Sequence, residues 1–385
     1  MKKRVLALLM VTCVAGSLLA GCGNSSEEST SEESTSEETT SEETESEEAS
    51  SEEGTSEEAE AATDDSEEVN LADGEGMTLG VSWNFMINES ATETQAFLDE
   101  YAEEYGINIV HLVADGDSAQ QITDVKDLIS KGCDVIAVVP VDSAAIPTMV
   151  NAVHEAGIPY INFNRPVAEE DLSETPDASF APDSKQQAVD SAAACIQEML
   201  DAGIEEIKVI DIIGSLTDEN AVNRDAGLKE AIDDAVANGA DIEIVAELEC
   251  DWDNEWITSN LPAAVTAHPE ANMLFVPSDY CAGAVASSLE TADRWLTRDE
   301  ENHLWIASQD VYIDGYQYMV DGYFDANALL SNSILAEKVI EGAVKLYTGG
   351  SYGDNWNIAT ECPLFTPDNC QDPEMIDLLS YKDQL

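Results

Sequence analysis

From Met77 to about residue 310 the chain alternates short apolar runs with longer amphipathic stretches, and this alternation restricts the fold more than any other feature. The apolar runs lie at 79–83, 107–113, 135–139, 158–163, 207–213, 242–248, 273–276 and 304–307. Helical periodicity covers 92–105, 119–130, 144–155, 184–200, 220–236, 254–267 and 282–292 between them. Strand, helix, strand in that order predicts βαβ units around parallel sheets. A run such as Val135-Ile136-Ala137-Val138-Val139 has no polar face, so helices must cover its sheet on both sides. Roughly 310 residues exceed one small core, and an α/β fold of two doubly wound parallel-sheet lobes is expected.

The chain before this alternation is of another kind. Lys2, Lys3 and Arg4 precede an apolar run at 5–20, about the length of a signal-peptide core. A transmembrane helix needs about 20 apolar residues, so the run is short for a span. It ends in Leu18-Leu19-Ala20-Gly21-Cys22, which resembles the bacterial lipobox. The resemblance implies a lipoprotein signal peptide over 1–21, lipidation of Cys22 and the bilayer as a partner. The competing reading is an ordinary small-residue cleavage site, and Cys13 is a cysteine in this region without such a context. Two or three acyl chains anchor stably where one does not.

Behind Cys22 the composition turns to Ser, Glu and Thr, with Ser-Glu-Glu starting at Ser26, Ser31, Ser36, Ser41, Ser46, Ser51 and Ser56. A period of five residues fits neither helix nor strand, and no apolar side chain recurs to offset ordering entropy. Residues 23–70 therefore read as a disordered acidic tether, 22–75 including the lipidated cysteine and the approach to the domain. As a flexible chain it spans roughly 40 Å on average, and more when its charges repel.

Of the net charge of −65, the signal region contributes +3, the stretch from Glu27 to Glu75 −22, and the remainder −46. A folded part this acidic argues against nucleic acid and anionic lipid as partners, since both need clustered Lys and Arg. The six cysteines after the tether include no Cys-x-x-Cys pair and His is scarce, so neither a zinc site nor another metal or cofactor is expected. Cys133, Cys195 and Cys281 lie in apolar stretches and read as core residues. Cys362 and Cys370, eight apart in a Pro-containing segment, are the pair best placed for a disulfide.

Ligands of doubly wound sheets bind beyond the carboxyl ends of the strands. There the sequence offers Trp83 to Glu89, Asn164-Arg165-Pro166, Gly214-Ser215 with Asn223-Arg224-Asp225, Cys250-Asp251-Trp252-Asp253, Ser278-Asp279-Tyr280 and Ser308-Gln309-Asp310. Carboxylates, amides and guanidinium suit neighbouring hydroxyls, and an aromatic ring covers the C–H face of a sugar.

The stretch 115–165 carries Gln120-Gln121, Asp127-Leu128-Ile129, Gly132-Cys133-Asp134-Val135-Ile136, Pro140-Val141-Asp142-Ser143-Ala144, Ala156-Gly157-Ile158-Pro159 and Asn164-Arg165. It resembles the N-terminal lobe of the ribose-type periplasmic sugar-binding proteins. Arg224 with Gly227, His268-Pro269, Ser278-Asp279 before Ala282-Gly283-Ala284, and Asp321-Gly322 extend the likeness over Met77 to Asn369. It implies a type I periplasmic binding protein fold whose lobes, joined by a three-crossing hinge, close over one ligand. The implied first lobe is 76–181 with 332–360, and the second is 182–331 with 361–385.

By the same resemblance, Asn164 and Arg165 fall where an Asp-Arg pair holds sugar hydroxyls, Asn replacing the acid. Arg224 matches the second-lobe arginine, against a solvated helical Arg. Trp252 falls where a ring lies under the sugar, against ordinary core packing. Ser278 stands where Asn commonly binds, with Asp279 either a donor partner or a helix cap, and Asp310 matches an acid that accepts hydroxyls. In the first loop Trp83, Asn84, Asn88 and Glu89 are all candidates. Ser331 marks the last crossing, which lacks the family's usual Gln; both departures imply a ligand other than ribose.

These readings lead to an extracytoplasmic, lipid-anchored, monomeric binder without catalytic groups, on the outer face of the cytoplasmic membrane. It would capture a sugar or sugar-like ligand and deliver it to an ABC permease. The same cleft could serve a sensor for chemotaxis or signalling, including one for autoinducer-type ligands. A surface glycoside hydrolase would need an acid pair, and acids are abundant, but those with a family match fall on binding positions.

Overall fold

The computed structural model describes residues 69–167 and 172–385; the signal peptide, Cys22 and most of the tether lie outside the described residues. In the first half of the chain the strands are β1 (Thr78–Trp83), β2 (Asn108–Val113), β3 (Val135–Val138), β4 (Tyr160–Phe163) and β5 (Ala178–Pro182). The second half supplies β6 (Glu206–Ile213), β7 (Asp241–Glu249), β8 (Met273–Phe275), β9 (Trp305–Asp310), β10 (Ala326–Leu329), β11 (Asn357–Thr360) and β12 (Leu364–Phe365). The helices that position the site are α1 (Glu89–Tyr105), α2 (Ser118–Lys131), α3 (Ile146–Glu155), α4 (Ser184–Asp201), α5 (Glu219–Ala237), α6 (Asn254–Ala267), α7 (Ala282–Thr291), α8 (Ile313–Val320) and α9 (Asn332–Tyr347).

Two six-stranded sheets result, in the orders β11-β5-β4-β3-β1-β2 and β12-β10-β9-β8-β6-β7. Every pairing is parallel except that of β10 with β12. In each lobe the first strand lies between the second and third, which creates a switch point where the chain reverses direction and a crevice opens. The expected pair of doubly wound lobes is therefore present.

The chain passes between lobes three times. After β5, α4 packs on α5, β9 and β10 of the second lobe. After β10, α9 returns to pack on α1 and β3 to β5. Then β11 completes the first sheet before β12 joins the second. All eight apolar runs became strands; β5, β10, β11 and β12, with helices α8 and α9, are additional. Sequences such as Ala-Asn-Ala-Leu in β10 are small and mixed, and become strands because a neighbouring edge pairs them at a crossing.

Each sheet is buried on both faces, by Leu79, Val81 and Leu98 with Val339 and Ile340 on one side of the first and by Val125, Leu128, Ile136 and Val150 on the other. Helix starts follow the strand ends closely: Asn88, Asp117, Asp183, Asp218 and Asp253 each accept first-turn backbone N–H groups. A 3-10 turn at Leu71–Gly74, within the stretch read as tether, packs against α9, and Val69 and Leu71 lean on the first-lobe core. Cys133, Cys195 and Cys281 are core residues as expected, but Cys362 and Cys370 are free thiols. Cys370 belongs to the second-lobe core, while Cys362 hydrogen-bonds the Thr360 carbonyl. Among the described residues no helix is long and apolar enough to cross a membrane.

Candidate functional site

Loops at the carboxyl ends of both sheets meet around a cavity of about 470 Å³, a volume in the range of small-molecule sites. Of the sequence candidates, Asn84, Asn88, Asn164, Arg165, Arg224, Trp252, Ser278 and Asp310 line it. The backbone is left-handed at Asn164, Asp251, Trp252, Asp310 and Val311, with φ of 68°, 50°, 59°, 93° and 55°. Non-glycine residues take up this conformation at a cost that surrounding structure must hold. Its concentration on the cleft loops marks them as shaped for a site.

Arg165 and Arg224 are organised differently. Arg224 is buried, and its guanidinium donates to Gln187 Oε1 from Nε and Nη2 at 3.2 and 2.8 Å and to the Pro277 carbonyl at 2.7 Å. Its remaining bonds go to the two oxygens of Asp310, at 2.5 and 3.3 Å. All five N–H positions are thus committed. Arg224 holds Asp310 in place, and the Ser278 hydroxyl donates to the same carboxylate at 2.5 Å. Asp310 is the group these two residues present to the cavity.

Arg165 belongs to the first lobe, where Nη1 donates to the carbonyls of Pro140 and Val141 at 2.8 and 2.6 Å. Its Nη2 reaches across the cleft to Asp218 at 2.9 Å, both side chains almost fully buried. Asp218 caps α5 through Asn220 N–H and also accepts the Trp252 indole N–H at 3.2 Å. Asn220 donates to the Asn164 carbonyl at 3.2 Å, and Ser143 N–H to the Thr217 carbonyl at 3.3 Å. The two lobes are therefore closed on one another. The Trp252 ring lies over Gly214, at which a Cβ would collide with it.

Four candidates lie outside the cavity lining. Trp83 is core: it packs edge-on against Phe163 and donates its indole N–H to His111 at 3.0 Å. Its position in β1 turns it onto the helix-covered face. Asp279 is a buried brace that accepts from Tyr312 N–H at 2.8 Å and from Asn327 at 2.9 Å, and burial pushes its carboxyl well up. Ser331 caps α9 through Ile334 N–H, while its neighbour Leu330 lines the cavity. Glu89 opens α1, facing Glu93 and, from the second lobe, Asp314.

Burial, then repulsion from Glu93 and Asp314, pushes Glu89 from 4.5 to about 7. A carboxyl raised in this way keeps its proton in the folded state after the unfolded chain has released it. Its contribution is intact below 4.5 and is lost as pH rises from 4.5 to about 7. Thermal melts across that window should show stability falling with pH more steeply in the native protein than in Glu89→Gln. Equal slopes would exclude Glu89 as the titrating group.

Asp218, Asn220, Ser90, Asn254, Tyr280 and Tyr312 line the cavity without having been singled out as site residues. Ser90 Oγ accepts from Asn164 Nδ2 at 2.9 Å, which fixes the orientation of that side-chain amide. Asp218 carries a legible signal, an acid before a helical stretch, but that signal describes a cap. Its second oxygen, which also accepts the Trp252 indole N–H, is drawn into the site when Arg165 arrives from the other lobe.

A family model described as "periplasmic binding protein domain" matches residues 79–351. The ribose import binding protein of Bacillus subtilis (strain 168) is 24% identical over 225 residues, 58% of this chain and 69% of that protein. The xylitol-binding protein of Mycolicibacterium smegmatis is 25% identical over 264 residues, 68% of this chain and 67% of that protein. A crystal structure from Mycobacterium smegmatis in complex with β-D-fucofuranose superposes with a TM-score of 0.69 at 21% identity, covering 78% of this chain and 96% of the other. At that identity the superposition speaks to the fold.

Proposed function

The chain belongs to the periplasmic binding protein family, and from that premise we propose that it is a lipid-anchored, extracytoplasmic solute-binding protein that captures a neutral sugar or polyol for an ABC permease. The observation that carries the reading is the closed interlobe cavity, walled by Asp310, Asp218, Asn84, Asn164 and Trp252. Acceptor oxygens and amides on both lobes match a ligand with hydroxyls on both edges, and the indole offers a face to its C–H side. Binding needs no reacting group. Closure turns ligand affinity into a population of closed molecules, which a permease can distinguish from open ones.

A glycosidase would need one carboxyl free to deliver a proton to the leaving oxygen. Of the acids that line the cavity, Asp310 is held by Arg224 and Ser278, Asp218 by Arg165, Trp252 and its own helix, and Asp253 by the first N–H groups of α6, while Asp251 and Glu255 are exposed. That arrangement favours holding a ligand over transforming it.

The site is tested by titrating pentoses, hexoses and polyols while following tryptophan fluorescence. A binding sugar should shift the emission of Trp252, and Trp252→Ala should weaken it about tenfold or more, as for a buried aromatic anchor. An unchanged affinity would remove the indole from the site. The anchor is tested separately: the native chain should partition into detergent, and Cys22→Ser into the aqueous phase. Identical partitioning would remove Cys22 from that role.

A further inference from the structure

The second lobe contains three carboxylates that no part of the ligand site uses. Asp211 in β6 stands directly beside Glu247 in β7 in the parallel register, and Asp225 comes down on them from α5. One oxygen from each lies within 4.8 Å of the others. None of the three lines the ligand cavity. Asp211 is fully buried, yet both its oxygens lack a hydrogen-bond donor. Like charges abreast on neighbouring strands repel, and an unpaired buried carboxylate is among the costliest groups a fold can contain.

Lys229, one helical turn beyond Asp225, does not resolve this. Its ammonium reaches Asp225 and Glu247, each at 2.8 Å, and supplies one positive charge for three acids. Its side chain is 43% exposed and can leave towards solvent. The donors that remain are all carboxylate oxygens, which select hard cations. Oxygens bound to one Ca²⁺ at about 2.4 Å lie no more than about 4.8 Å apart, as these do. Glu247 is half exposed on edge strand β7, so the cluster is open to an ion and to the waters completing its shell.

We propose that Asp211, Asp225 and Glu247 bind a hard divalent cation, Ca²⁺, that ties α5 to β6 and β7. No local pattern in the chain points to a metal, because the three acids are spread over 37 positions and meet only through the strand register and the helix above it. Asp225 follows Arg224 directly, so the ion would also fix the turn of α5 from which Arg224 holds Asp310.

The purified full chain, stripped with chelator, is titrated with Ca²⁺ by calorimetry and melted with and without the ion. One saturable site per chain and a rise of several degrees in Tm are expected. Asp211→Asn and Glu247→Gln should each weaken binding at least about tenfold. Glu247→Gln lies at an exposed edge and keeps the fold, which separates loss of the site from loss of structure. Glu243→Gln, on the same strand but paired with Lys208, should bind as the native chain does. Undiminished binding in both cluster variants, or none in the native chain, overturns the proposal. A native chain indifferent to Ca²⁺ whose Tm falls from acid to neutral pH, and no longer does so as Asp211→Asn, overturns it in favour of a proton shared between Asp211 and Asp225.

Discussion

Replacing Arg224 with alanine should cost about 3–5 kcal/mol of second-lobe stability and abolish ligand binding, the effect expected when one partner of a buried ion pair is removed. The change leaves Asp310 buried without its cation, and strips Gln187 Oε1 and the Pro277 carbonyl of their donors. Urea unfolding should show a large drop in midpoint with little change in slope, since the surface exposed on unfolding is the same. Arg224→Lys should recover only part of the loss. A point charge cannot reproduce a planar fork that serves Gln187 on one side and Asp310 on the other. If Arg224→Ala unfolded like the native protein, the guanidinium would not hold the second lobe together.

Arg165→Ala should act on closure rather than on folding. Its Nη2 bond to Asp218 is the buried ion pair that spans the cleft, and breaking such a pair typically costs about 2 kcal/mol or more, some 30-fold in affinity. Asp218→Asn should lose a similar amount, and the double variant little more than either alone, because the two residues act through one contact. Sugar affinity measured across the four proteins gives the coupling directly. Additive losses would mean that the pair does not form in solution. Second-lobe stability in Arg165→Ala should stay close to native, since all its partners other than Asp218 are first-lobe carbonyls. This separates it from Arg224→Ala.

Much of the architecture was written in hydrophobic period. An apolar run with no polar face, such as 135–139, could only be a strand covered on both faces; all eight runs are strands, the inner six largely buried and the edge strands β2 and β7 partly exposed. The strands that went unread are those whose identity depends on pairing at the crossings. In the site, residues just beyond strands were legible because that is where doubly wound sheets put ligands. Eight of the twelve candidate residues line the cavity for that reason. Trp83, the last residue of β1, lies at a strand end but not at the cleft. One step along a strand reverses the face, so it points into the core while Asn84 turns to the cleft. Asp218 is a second case. A helix cap can be read locally, but an ion pair made by closing two lobes, or a carboxylate trio made by strand register, has no local signature.

The central claim is that this cavity closes on a neutral polyhydroxylated ligand. Thermal-shift and calorimetric titration of the purified protein against ribose, arabinose, galactose, xylitol and myo-inositol, with glucuronate and a sugar phosphate as charged controls, tests it most directly. The expected result is one-to-one binding of at least one neutral member, a raised Tm, and ligand recovered unchanged. Silence across the neutral set, preference for a charged control, or conversion of the ligand to product would contradict it.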